Sequence, residues 1–226
     1  MTETPDVSKR QALKTPRAAA IAGIIFSVLY GTSMVLINSS LPHEPTAFLA
    51  WLEADTTTVT LALNLIPFAG IAFLWFIGVI RDLMSDMEDR LFATVFLGSG
   101  LLFLALTFIG AALAAGLLSS YAIESSILIQ SGVLTYSRMV LYHVFNIYAI
   151  RMSGVFMISL ASILLRTGLM HRGWAYLTYI LALVLLLSID YSSWVTLIFP
   201  GWVLVVSVIV LVRNLHKQPD EYSGKV

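Results

Sequence analysis

Apolar residues run in six long blocks along these 226 residues, divided by short polar stretches. A membrane-spanning helix needs about 20 mostly apolar residues at about 1.5 Å of rise each. Blocks of that kind cover residues 17–38, 57–80, 91–118, 139–165, 174–188 and 194–212. The pattern predicts an all-α fold, a polytopic membrane bundle of six transmembrane helices, with tails at 1–16 and 214–226. The fifth block is short, so it is expected to cross with little tilt or to borrow flanking residues. The first follows a basic leader as a signal peptide would. Its apolar length of about 20 residues exceeds the ~7–15 of a cleavable h-region, so it reads as an uncleaved span.

Composition agrees: 58% of residues are hydrophobic and 12% charged, with a mean hydropathy of +0.88. Soluble domains sit well below this. Charge placement then gives an orientation. Lys9, Arg10, Lys14 and Arg17 precede the first block, Arg81 and Arg90 follow the second, Arg166 and Arg172 follow the fourth, and Arg213, Lys217 and Lys225 follow the last. The alternate loops carry Arg138 alone, against Glu44, Glu53, Asp55, Glu124 and Asp190. By the positive-inside rule both termini are expected in the cytoplasm, and the protein in the inner (plasma) membrane of a cell. With no cysteine, disulfides, palmitoylation and thiol chemistry are excluded.

Small residues at four-residue spacing mark faces where helix backbones approach closely in a bilayer. Ala19, Gly23, Ser27 and Gly31 form such a stripe in the first span, and Gly110–Ala114 and Ala112–Gly116 lie in the third. Packing within the bundle is the preferred reading of the stripe, and a homo- or hetero-oligomer contact the alternative. Pro67 and Pro200–Gly201 should bend or locally unwind their helices. Residues 119–137 are too apolar for a free loop and too short to cross. An interfacial helix, a re-entrant segment, a lid over a cavity, or outer extensions of spans three and four all fit.

One residue is out of place. Arg151 lies near the middle of span four, where Arg costs about 2.5–3.5 kcal/mol on insertion scales, so it is not expected to face lipid. Tyr142, His143 and Asn146 share a broad face with it; at about 3.6 residues per turn His143 and Arg151 are about 80° apart. Side chains lean toward the helix N-terminus, so Arg151 should reach outward. There it would meet Glu124, Asp190, Glu53 or Asp55, with Asn64 and Asn38 at similar depth. The expectation is an outer-half polar pocket holding a small anionic ligand or ion. The competing reading is an Arg that ties helices together through carboxylate, Asn and carbonyl partners.

Other chemistry is thin. A zinc site needs three or four convergent ligands, and His43, His171 and His216 fall in loops or tails away from His143. Asp82, Asp86 and Asp89 would share a helical face able to hold hydrated Mg²⁺, but a solvated, ion-paired loop accounts for them better. Gly98–Ser99–Gly100 lacks the spacing of a nucleophile elbow and reads as packing. No P-loop or HExxH occurs, and no lysine lies in a span for a Schiff base. No cofactor, metal or nucleic-acid partner is expected, and catalysis is the least favoured class.

Two stretches, Trp75-Phe-Ile-Gly-Val-Ile-Arg-Asp82 with Glu88-Asp-Arg-Leu-Phe-Ala-Thr-Val-Phe-Leu-Gly-Ser-Gly100, and Arg151-Met-Ser-Gly-Val-Phe-Met157 with Leu165-Arg-Thr-Gly168, resemble a group of small bacterial six-helix membrane proteins with no established activity. The resemblance implies only that the loop after span two and the Arg151 region are places to look for function. Two expectations result. The first is a transport, channel-like or ligand-sensing protein with Arg151 as its fixed charge and Tyr142, His143, Asn146 and Asn64 around it. The second is a structural or accessory subunit that scaffolds a partner.

Overall fold

The computed structural model describes residues 6–40, 52, 56–83, 90–166, 168, 170–187 and 193–216. Among them the chain is helical throughout, with no strand. The helices are α1 (Asp6–Ser40), α2 (Thr57–Leu83), α3 (Arg90–Gln130), α4 (Val133–Tyr142), α5 (Ile150–Arg166), α6 (Arg172–Leu187) and α7 (Ile198–His216). A π-helical segment, His143–Ala149, joins α4 to α5, and a 3₁₀ turn, Ser193–Leu197, leads into α7. Five helical stretches are long and apolar enough to cross a membrane, and α6, with 16 residues, is a shorter apolar helix. Large apolar side chains remain exposed around the bundle, among them Phe68, Trp75, Ile109 and Ile180. A water-soluble monomer rarely leaves so much apolar surface open. These are the features of a membrane-embedded protein.

α1 packs between α2 and α7, α2 against α3, α3 against α5, and α5 against α6. The indole Nε1 of Trp202 on α7 donates to Thr178 Oγ1 on α6 at 2.9 Å, which brings the first and last neighbours of this series back together. The centre is filled with aromatic rings. Phe73 of α2 lies 4.6 Å from Phe26, 5.3 Å from both Phe103 and Phe156, and 5.7 Å from Phe199, centroid to centroid. Those four partners come from α1, α3, α5 and α7, so one ring touches four other helices. Edge-to-face and tilted pairs of this kind contribute about 0.5–1.5 kcal/mol each beyond their buried area.

Side chains seated directly on a helix backbone explain three glycines. A Cβ on Gly23 would overlap Ser207 Oγ and the Phe76 ring; one on Gly100 would meet Ile77 and Phe156, and one on Gly110 would meet Phe145. Ala19 and Ser27 are buried too, so three members of the α1 stripe face into the bundle, while nothing lies within 4 Å of a Cβ at Gly31. Ser99 is buried and donates to the Val95 carbonyl at 2.6 Å, a packing role. Pro67 sits inside an unbroken α2. It denies a donor to the Leu63 carbonyl; one residue earlier, the Ala62 carbonyl accepts from Ser33 Oγ at 2.8 Å. Pro200 is the third residue of α7, where its missing N–H costs nothing.

Residues 119–137 extend the helices on either side. α3 continues to Gln130, with a kink at Glu124 (φ −151°, ψ 73°), and the chain reverses at Gly132 (φ +73°) into α4. At about 1.5 Å per residue, the 40- and 34-residue apolar stretches 91–130 and 133–166 are about 60 and 51 Å long. Both exceed the ~30 Å hydrocarbon core of a bilayer. Leu52, Leu117 and Leu134, with Tyr121 and Leu128 against them, form a second small core in this hairpin.

Candidate functional site

Arg151 is the second residue of α5, and its surroundings follow from Gly154 one turn later. A Cβ at Gly154 would lie 3.1 Å from the Ala182 carbonyl and 3.2 Å from Leu186 Cγ. With no side chain there, α6 lies directly against α5. Arg151 is thereby brought level with the last turn of α6, and its Nε donates to the Leu186 carbonyl at 3.4 Å. Leu186 is the next-to-last described residue of α6. The last four carbonyls of a helix have no intrahelical donor, and they carry the negative end of its dipole. A guanidinium is suited to the last carbonyls of a helix on both counts.

Two references give the level of Arg151, its own helix and α6. It is near the middle of its own helical stretch, 133–166, but that stretch overhangs the bundle at the hairpin end. Measured against α6, Arg151 stands level with the last described turn. Its partner among the described residues is a backbone carbonyl rather than an acid. Glu124, at the α3 kink, is exposed and makes no ion pair with it. Asp190, Glu53 and Asp55 lie outside the described residues, as do Glu44, His43, Asp86 and Asp89.

None of the other expected pocket residues hydrogen-bonds the guanidinium among the described residues. His143 is exposed and its Nδ1 is 2.7 Å from the Met139 carbonyl of its own helix. Tyr142 is exposed beside it, the two rings edge to face at 5.8 Å. Asn146 is half-buried within the π-helical segment. Asn64 is exposed on α2, on the periphery with Leu61 and Phe68 rather than in the interior. The angle of about 80° expected between His143 and Arg151 assumes 3.6 residues per turn. The intervening π segment uses i→i+5 bonds and changes that phase. The same change of phase delivers Phe145 onto Gly110 of α3. Such π segments recur at functional sites, and hydropathy carries no signal for them.

A second feature was not legible in the sequence. A cavity of about 250 Å³ opens at the other end of the bundle, bounded by Leu164 of α5, Met170 and His171 of the following turn, Trp174 of α6, and Val206 and Val210 of α7. Arg166 marks this end as the arginine-rich one, its guanidinium stacked 4.7 Å above the Phe92 ring near the start of α3. Among the described residues no group of three His, Asp or Glu side chains is placed to hold a metal ion. Comparison with protein families, with curated proteins and with solved structures finds no match to this chain.

Proposed function

We propose that the chain is a six-span inner-membrane protein with both termini cytoplasmic, and that it binds a small anionic group at its outer end through Arg151. The observation carrying the reading is the half-buried guanidinium held at the carbonyl end of α6 by Nε alone among the described residues. Arg has five N–H donors in a fixed fork, so the two terminal nitrogens remain suited to a carboxylate or phosphate. The depth supports it. α6 has 16 residues, about 24 Å at 1.5 Å each, less than the ~30 Å hydrocarbon core. A residue level with its outer end lies near the outer boundary, where ligand from water reaches it.

The filled aromatic centre favours binding or sensing over an open pore. It equally favours the second reading, an accessory subunit whose bundle presents surfaces to a partner protein and holds no small ligand.

Thermal unfolding of the purified protein with phosphate, sulfate, acetate or succinate tests the first reading. An anion at about 100 times its Kd stabilises by about 2.7 kcal/mol. At least one anion should raise the Tm of the wild type and leave Arg151→Gln unmoved. If none does, or the variant shifts equally, the anion site is dropped, and a stoichiometric protein partner in mild-detergent purification would establish the scaffold. Topology is tested separately with single cysteines: Pro45→Cys should label only from outside and Asp86→Cys only from the cytoplasm.

A further inference from the structure

The cavity at the arginine-rich end is independent of Arg151 and has its own chemistry. Gly168, at φ +69°, turns the chain after α5, and the Met170 N–H donates to the Leu164 carbonyl at 2.9 Å, which tucks Met170 under the bundle. α6 packs along α5, and Trp202 of α7 is tied to it at Thr178. Between these contacts the wall is apolar: Leu164, Met170, Val206 and Val210, with the Trp174 indole at the mouth. Trp174 is 44% exposed, so the cavity reaches the surface of the bundle at that side chain.

His171 lines the cavity, and Arg172 follows it in the chain. Arg172 is exposed as the first residue of α6, and His171, also exposed, precedes it. His171 Nδ1 accepts from the Gly173 N–H at 3.1 Å, which leaves Nε2 as the donor side of the ring. At about 250 Å³ the space is smaller than the ~300–1,000 Å³ of a pocket for a drug-sized ligand. Apolar cavities do not hold water well. In a membrane-embedded bundle the apolar material at such an opening is an acyl chain, and interfacial Trp beside basic residues marks headgroup depth.

We infer that this cleft is a phospholipid site selective for an anionic headgroup: Leu164, Met170, Val206 and Val210 take part of one acyl chain, and Arg172 with His171 Nε2 takes the phosphate. Selectivity comes from charge complementarity at the mouth, and retention from the chain. The inference rests on the membrane placement of the bundle and not on the anion site at Arg151.

The full-length protein in nanodiscs of phosphatidylcholine, doped with chain-brominated phosphatidylglycerol or chain-brominated phosphatidylcholine, tests it. The difference in fluorescence between wild type and Trp174→Phe isolates Trp174. Its quenching should half-saturate at about fivefold lower mole fraction of the anionic lipid, the factor one basic side chain contributes at an anionic surface. Arg172→Gln should erase that preference, and Val210→Phe should fill the cleft and weaken quenching by both lipids. Equal quenching by the two lipids in the wild type, or none, overturns the proposal. Native mass spectrometry of wild type and Arg172→Gln reads the same preference without Trp174→Phe, and equal retention of both lipids there overturns it too.

Discussion

The Nε of Arg151 donates to the carbonyl of Leu186 across 3.4 Å, joining α5 to the last turn of α6. The bond is long and the guanidinium is partly exposed, which places its contribution at the low end of the scale. A cation at a helix C-terminus contributes about 0.3–1 kcal/mol. Arg151→Ala should therefore lose about 1 kcal/mol, read as a modest fall in detergent Tm, with Arg151→Lys falling less. A loss of about 3–5 kcal/mol would instead mark a broken buried ion pair, with Asp190 the first acid to test by Asp190→Asn.

Trp202 and Thr178 make the sharper case. Both are buried and the bond is 2.9 Å. Thr178→Val keeps the volume and strands the indole N–H, at a cost of about 1–3 kcal/mol. Trp202→Phe in that background should recover part of the loss, because the orphaned donor goes with it. Unfolding of the four proteins in a double-mutant cycle measures the coupling.

Gly23 and Gly31 are alike in sequence and opposite in setting. A Cβ at Gly23 overlaps Ser207 Oγ and Phe76, whereas the space at Gly31 is open. Gly23→Ala should destabilise by about 1–3 kcal/mol as overpacking does. Gly31→Ala should stabilise by about 0.8–1 kcal/mol from helix propensity. Ser207 Oγ is buried and has no partner among the described residues, so Ser207→Ala should be neutral or better. If Gly31→Ala proves as damaging as Gly23→Ala, that position packs against another molecule.

Phe73 touches rings from four other helices. Phe73→Ala should cost about 3–5 kcal/mol, and Phe73→Leu less, since it leaves a smaller void. Both are read by thermal unfolding in detergent.

Hydropathy marks where the apolar helices lie, because a span must be apolar along its length whatever it packs against. For the same reason it does not show which face turns inward. Phe68 and Phe73 read alike in sequence, yet Phe68 is 63% exposed and Phe73 fully buried. Lipid and core are both apolar, so the contrast that shows the inner face of a soluble helix is weak here. Small residues recover part of it, since Gly23 sits where Ser207 and Phe76 close onto α1. Arg151 was legible as an anomaly through its cost. Its partner was not, because every helix end presents carbonyls and the acids nearby drew the reading toward ion pairing. The overhang of α3 and α4, the π segment and the Trp174 cleft depend on tertiary geometry that no residue type announces.

The Phe73 cluster bears on permeation as well as on the fold. Rings from five helices meet around Phe73, so a water molecule or ion placed among them would find aromatic carbon in place of hydrogen-bond partners. Proton flux into vesicles that hold the protein should match that of empty ones.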